Sequence, residues 1–331
     1  MAYHLTSAGS NIAASPESAA ETMLDVREVT DAAEWDAMLG ACAIPHLPQA
    51  LAYGEAKAAS GWTPRRIVFG RNGTPLAMVT VLQLRRFGLT LLNRVNRGPL
   101  FLVANPSEAD ILSVYLTLRR HFGRLWTAPL LVAPALDAGE RSEHLLRQSG
   151  YRRRASQSWL SGRIDLTRTE DELWAGMSST FRNRVRNAEK LGAQLEISET
   201  AGAYEWMIAR HLENMQEKGF SAFSAQMLRV LKSNAAGKVL VFRLLSEGEP
   251  VAGMSVVRFG QMAEYHVGWF GPAGRKLNAG NFLMWNIILE LKRRGVVGFD
   301  VGGMKHGDGY TRFKRTMNPV EYELAGEWMS F

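Results

Sequence analysis

Between Gly302 and Arg315 the chain reads Gly-Gly-Met-Lys-His-Gly-Asp-Gly-Tyr-Thr-Arg-Phe-Lys-Arg. Glycines let a ligand approach the backbone, and bare N–H groups followed by fixed cations suit an anion, a phosphate first of all. Gly302 and Gly303 are therefore candidate backbone contacts, although so many glycines could equally mark a mobile connection. Lys314, one helical turn after Tyr310 and beside Phe313, is the candidate for catalysis by positive charge. Arg312 and Arg315 would contact phosphate or only solvate the helix. Upstream, Arg182, Arg186 and Lys190 fall four residues apart and so share one side of a helix, with Arg184 turned elsewhere. Ser178, Ser179 and Thr180 supply caps at its start. The stripe reads as a phosphate-binding surface or as a solvated helix face. His266 alternates with Glu264 and Gly268 on one strand face, as a structural histidine or as a proton carrier opposite Lys314. His211 reads as a helix-surface residue and His306 as part of the glycine loop. No His/Cys/Asp spacing marks a metal site, and no Gly-x-Ser-x-Gly or Cys–His arrangement marks a covalent intermediate.

These residues need elements to hold them. Periodicity predicts a strand at 26–29, helices at 32–39 and 49–59, and strands at 66–69, 76–84 and 89–96. A helix after Ser107, a strand around 125–132, a helix at 141–148 and a strand from Tyr151 complete the first half. The second half repeats the plan. It has a strand at 161–166, helices at 169–175 and 181–191, a strand at 194–198, and helices at 204–218 and 225–231. Strands at 239–245, 250–259 and 263–270 then lead through a helix at 278–294 to a strand at 297–301 and the short basic helix. Residues 321–328 alternate apolar and charged side chains as one strand would. An antiparallel meander followed by a strand reached through a helix indicates an α/β fold with a mixed central sheet.

The chain has 331 residues, enough for two domains, and 46% apolar with 21% charged residues is the composition of a globular protein. A formal charge of +7 favours a polyanionic partner such as tRNA, a nucleotide-linked substrate or an anionic membrane surface. The single cysteine, Cys42, excludes an internal disulfide framework and points to a reducing, cytoplasmic setting. Residues 1–22, rich in Ala and Ser, read as a flexible tail rather than a signal peptide. No apolar run reaches the ~20 residues of a membrane span, so membrane contact would be peripheral.

In order and spacing these motifs resemble the FemX/FemAB family of peptidoglycan-bridge aminoacyltransferases. The parallels are the 302–315 loop and helix, the Arg182-x-x-Val185-Arg186 segment, Gln49…Tyr53-Gly54…Lys57…Gly61-Trp62, and Asn96-Arg-Gly-Pro-Leu100. The resemblance implies two tandem GNAT-like (acyl-CoA N-acyltransferase-like) domains, each with a mixed central sheet flanked by helices. Their bounds would be 23–157, completed by 319–331, and 158–318, the second carrying the transfer site. It also implies that Lys314 lies near the reacting ester and that Lys57 helps hold the acceptor's diphosphate. Arg97 would reach the same phosphate or cap its turn.

The expected activity is transfer of an amino acid from aminoacyl-tRNA to a primary amine of a phosphate-bearing or peptide acceptor. No bound cofactor is expected. The co-substrate would be the charged tRNA, with Arg182 and Arg186 on donor or acceptor phosphate. Such an ester is already reactive, so the protein must mainly align the amine, take its proton and stabilise the oxyanion. One segment supports an alternative. CoA-dependent acetyltransferases carry Arg/Gln-x-x-Gly-x-Gly/Ala between a strand and a helix, where successive N–H groups cradle a pyrophosphate. Arg275-Lys-Leu-Asn278-Ala-Gly280 resembles it, with Asn278 in place of the first glycine. An acyl-CoA-dependent N-acyltransferase of cell-envelope or polysaccharide chemistry is thus the second expectation, and a non-catalytic nucleic-acid-binding module the third.

Overall fold

The computed structural model of the chain describes residues 24–123, 128–154, 158–235, 237–305 and 307–331. The tail expected at 1–22 and His306 lie outside the described residues. The chain forms two compact units, one reaching to Trp159 and taking back Glu323–Phe331, the other spanning Leu160–Tyr322.

The first unit contains β1 (Asp25–Glu28), α1 (Ala32–Ala41), α2 (Leu51–Ala58), β2 (Trp62–Arg71), β3 (Thr74–Arg86), β4 (Leu89–Asn96) and β5 (Leu100–Phe101). α3 (Glu108–Phe122), β6 (Leu130–Ala133), α4 (Glu140–Gln148) and β7 (Arg152–Arg154) follow. The expected strand at 125–132 is thus the shorter β6 among the described residues. Asn72-Gly73, both at positive φ, close the β2–β3 hairpin, as a two-residue turn matching strand twist requires. The sheet order is β1-β2-β3-β4-β6-β15-β7, where β15 is Glu327–Ser330, and β5 pairs with β3. Only the β4–β6 step is parallel among the registered pairs, and it is reached through α3. Trp328, Tyr115, Tyr151, Phe69 and Phe101 fill the core.

The second unit repeats the arrangement. Its elements begin with β8 (Leu160–Asp165), α5 (Glu170–Gly176), α6 (Ser179–Lys190), β9 (Gln194–Ser198), α7 (Ala201–Lys218) and α8 (Ala225–Asn234). They continue with β10 (Val239–Ser246), β11 (Glu249–Phe259), β12 (Met262–Phe270), α9 (Pro272–Lys276), α10 (Ala279–Arg293), β13 (Gly298–Asp300), α11 (Gly309–Arg315) and β14 (Val320–Glu323). The sheet order is β14-β8-β13-β12-β11-β10-β9. α10 buries nine residues, among them Phe282, Leu283, Ile287 and Leu291, and joins the core with Phe181, Phe242 and Phe299. Side-chain caps set the helix starts: Thr169 and Glu172 form a capping box on α5, and Ser178, Thr200 and Ser224 each accept from the N–H three residues on.

Residues 321–328, expected as one strand, are two. β14 pairs with β8 in the second sheet and β15 lies between β6 and β7 in the first. The alternation is interrupted at Gly326, whose φ of +83° turns the backbone. β12 and β13 run parallel, but their pairing stops at Glu264↔Asp300 while β12 continues to Phe270. The two strands part beyond that point, beside the start of α10. Among the described residues no helix is long and apolar enough to cross a membrane.

Candidate active site

A cavity of about 740 Å³ opens where β12 has lost its parallel partner. Its wall includes Tyr265 to Phe270 from β12, Arg275 and Asn278–Asn281 at the start of α10, and Tyr310 and Phe313 from α11. Arg184 of α6, His211, Asn214 and Lys218 of α7, and Phe220 and Phe223 after it complete the lining. The cavity lies wholly within the second unit. Aromatic rings thus surround a space whose charged lining is Arg184, Lys218 and Arg275 against Asp308.

The polar end is built by α10. Asn278 precedes the helix at φ +55° and its side chain makes no capping bond. A helix start leaves N–H groups without an intrahelical acceptor and carries the positive end of the dipole. No acidic residue stands in the first turn to neutralise it. Asn281, 4% exposed, has its Nδ2 buried without a hydrogen-bond partner among the described residues. A buried donor left unpaired costs about 1–3 kcal/mol, so an acceptor brought by a ligand would stabilise the site. Phe313 and Phe270 lie against Gly280, where an added Cβ would meet Phe313 at 3.4 Å.

His211 is the group that spacing misplaced. It is not on the helix surface but 4% exposed, because α7 turns that side toward β12. Its Nε2 is buried with no hydrogen-bond partner among the described residues. Burial holds its pKa below the ordinary histidine value, against a hydrogen bond to the Phe223 backbone. A neutral imidazole with one vacant nitrogen has the chemistry a general base needs. His266 also faces the cavity, stacked on Phe223 at 4.6 Å. It does not share a face with Glu264 as simple alternation predicted. Val256 pairs with Tyr265 and Ser255 with Val267, so His266 is the extra residue of a β-bulge and the period breaks there. Glu264 is buried, 5% exposed, on the side of Lys314.

Lys314 does not line the cavity. It is 1% exposed, and its Nζ donates to the carbonyls of Gly302 (2.9 Å) and Gly303 (2.8 Å). The ammonium lies 4.5 Å from the Tyr310 ring and 5.4 Å from that of Tyr265, the two tyrosines of the wall. It therefore stands one side chain behind the cavity and braces it. Burial lowers its pKa to about 8, opposed by Asp300, Glu264 and Asp308. The Gly302-Gly303 turn is accordingly not an anion cradle. Its carbonyls face a cation, and the Gly302 N–H is taken by Asp300 at 2.8 Å. Asp300 also accepts from Ser161 and Tyr322, both at 2.5 Å. Gly302 is required here: φ is +79°, and a Cβ would approach Tyr265 O at 3.1 Å.

The cationic stripe of α6 has the spacing expected of it but faces away from the cavity. Arg182 Nη1 donates to Ala175 O at 3.4 Å, Arg186 lies 5.5 Å over Trp174, and Lys190 is exposed. The cavity takes Arg184, the residue between them. Arg275, Asn278 and Gly280 are brought together with Tyr310, Phe313 and His266. Lys57 and Arg97 belong to the first unit. Lys57 sits 5.5 Å over Tyr53, its pKa lowered by burial and then by Arg94, and Arg97 lies 4.2 Å over Trp159.

Comparison with known proteins agrees with this architecture. Residues 175–315 match the acetyltransferase (GNAT) domain family. No curated protein matches the chain in sequence. Among solved structures, FemX superposes with a TM-score of 0.77 at 16% identity, covering 92% of this chain and 96% of its own. The C-terminal domain of a putative lysylphosphatidylglycerol synthetase from Agrobacterium fabrum gives 0.55 at 13%, covering 90% and 91%. A tandem GNAT protein from the clavulanic acid biosynthesis pathway gives 0.53 at 14%, covering 93% and 98%. The second unit thus carries the match to the GNAT domain, and the chain as a whole has the tandem, FemX-like fold.

Proposed function

We propose that the second unit moves an amino acid from aminoacyl-tRNA to the primary amine of a phosphate-bearing or peptide acceptor. The observation that carries this is the juxtaposition, in one cavity, of an uncapped helix start, three cations, an aromatic wall and a buried histidine with a vacant nitrogen. Arg275, Arg184 and Lys218 with the start of α10 would hold the phosphates of the donor's 3′ end, and the rings would stack its terminal base. His211 would take the proton from the attacking amine. As the tetrahedral intermediate collapses, the ester C–O bond breaks and that proton passes to the departing ribose oxygen. Asn281 Nδ2 supplies a donor for the oxyanion. Lys314 acts as a positioning residue, fixing Tyr265 and Tyr310 from behind. The likeness to FemX and to a lysylphosphatidylglycerol synthetase supports an aminoacyl donor and an envelope-type acceptor.

A second reading rests on a specific observation: Arg275, Asn278 and Gly280, the segment resembling a CoA loop, all reach the cavity. An acyl-CoA would place its diphosphate there. Against it, Asn278 replaces a glycine and the rings of Phe313 and Phe270 cover Gly280, which narrows the approach to successive N–H groups. A donor screen separates the readings. The purified protein is given charged tRNAs or acyl-CoAs with amine acceptors, and the product mass is measured. An aminoacyl mass increment is the expected result. An increment from acyl-CoA alone establishes the second reading, and salt-sensitive tRNA binding without transfer establishes a binding module.

A further inference from the structure

From Ala56 to Ser107 the sequence holds Lys57, Arg65, Arg66, Arg71, Arg85, Arg86, Arg94 and Arg97 and no acidic residue. Four of these cations are neutralised from outside the segment, Arg65 by Glu28, Arg66 by Glu55, Arg71 by Asp110 and Arg94 by Glu327. Arg85 and Arg86 are exposed and form no ion pair among the described residues. They sit at the tip of the β3–β4 hairpin, where Phe87 is 89% exposed, Leu89 68% and Leu91 48%. The tip is a projection: β2 pairs with β3 no farther than Leu84, and β6 pairs with β4 only from Asn93.

Turn geometry does not account for Phe87, and its ring joins no core but carries the exposed Arg86 guanidinium at 5.1 Å. Phe87 has φ +50° and is followed by Gly88 at +80°, the same turn that Asn72-Gly73 makes at +51° and +78° in the neighbouring hairpin. Asparagine adopts that conformation easily and a bulky aromatic does not. The chain thus places a strained, solvated phenylalanine between two arginines that have no acidic partner among the described residues, Arg85 donating to Gly88 O at 3.4 Å and Arg86 lying 5.1 Å over the Phe87 ring, and two exposed leucines. Large apolar side chains ringed by cations on a projecting tip match a surface that is apolar within and anionic at its face.

We infer that this hairpin is a membrane-docking finger, inserting Phe87, Leu89 and Leu91 among acyl chains while Arg85 and Arg86 bind phosphates of anionic lipid headgroups. The inference is independent of the donor and acceptor of the transfer reaction. The test is flotation of the purified full chain with vesicles of phosphatidylcholine alone or with a third of phosphatidylglycerol. Binding is expected to the anionic vesicles and to weaken in high salt. Phe87→Ser with Leu89→Ser should lower the partition coefficient about tenfold or more, and Arg85→Gln with Arg86→Gln about fivefold for each arginine. Phe87→Asn, which relieves the turn, should also lower binding while raising the unfolding temperature, so loss of fold cannot explain the result. Failure of the parent protein to bind anionic vesicles, or equal binding by all variants, overturns the proposal. So does a concentration-dependent dimer abolished by Phe87→Ser, or a tRNA affinity that the arginine variants lower with vesicle binding unchanged.

Discussion

Replacing Lys314 with methionine isolates the effect of one buried charge. Burial moves the ammonium from 10.5 to about 8, which disfavours the charged form in the fold by about 3 kcal/mol at neutral pH. The folded value lies below the unfolded one, so between pH 8 and 10.5 the unfolded chain holds more protons than the native protein. Stability withheld at pH 7 therefore returns as pH rises through that window. Methionine removes this cost but forfeits the bonds to Gly302 O and Gly303 O. The Ser161 hydroxyl, whose one proton goes to Asp300 at 2.5 Å, lies 2.9 Å from Gly302 O and can turn to it, and Gly303 is exposed to water, so the loss is about 1–2 kcal/mol. The variant should fold with stability within about 2 kcal/mol of the parent at pH 7. From pH 7 to pH 9 the parent should gain about 1 kcal/mol more than the variant. Urea titrations at both pH values, followed by amide exchange in β12 and β13, measure the difference. Parallel pH dependence in the two proteins would refute the buried-charge account. The same variant should raise KM for the donor as well as lower kcat, since Tyr265 and Tyr310, the rings proposed to hold the donor's terminal base, lose their brace.

Other expectations follow from the cavity. His211→Gln should reduce kcat by about a hundredfold or more with binding preserved. Because burial lowers the His211 pKa, the acid limb of the parent's rate profile should lie below pH 6.5, the usual histidine value; a limb above it excludes His211 as base. Arg184→Ala and Arg275→Ala should each raise KM for the donor, with weaker salt dependence of binding, whereas Arg182→Ala should leave both unchanged; donor titrations at two salt concentrations read this. Asn278→Gly should be close to neutral in stability, and Asn278→Val should cost about 1–2 kcal/mol because the position is left-handed; thermal unfolding distinguishes them. If acyl-CoA is the donor, Asn278→Gly should also tighten its binding.

The alternation of apolar residues made the order of elements along the chain legible, because a buried strand or helix must show its period, and that order implied mixed sheets. Within the site, legibility failed wherever tertiary packing sets the direction of a side chain. The spacing of Arg182, Arg186 and Lys190 was real, yet spacing does not say which helix side faces the ligand, and Arg184 has it. His266 was misplaced relative to Glu264 by a one-residue bulge that no local residue announces. Lys314 was expected beside the reacting ester and lies buried behind the cavity wall. A lysine between Phe313 and Arg315 gives no local sign of burial, which two carbonyls and two tyrosine rings make tolerable. Asn281 carried a usable signal, a polar residue three positions after Asn278 in an otherwise apolar helix start.

The duplicated plan raises the question of why the candidate site lies in the second unit. Each sheet has a parallel step reached through a helix, α3 in the first unit and α10 in the second. The two helix starts differ in chemistry. Ser107 and Asp110 form a capping box on α3, and Glu108 adds a second carboxylate to its first turn. Those acids engage Arg71 and Arg141, so the positive end of that helix is neutralised by its own chain. α10 has no side-chain cap and no acid in its first turn, and Arg275 and Lys276 precede it. An anion is repelled by the first start and attracted by the second. Moving the first turn of α3 toward α10, by Ser107→Gly with Glu108→Ala and Asp110→Ala, should therefore cost about 1–2 kcal/mol in stability for the lost cap. It should not create a second donor site, because no uncovered cavity chemistry equivalent to His211 and Asn281 has been placed on that helix. Donor stoichiometry remaining at one per chain in the triple variant would bear this out, and a second binding event would show that helix electrostatics alone suffice.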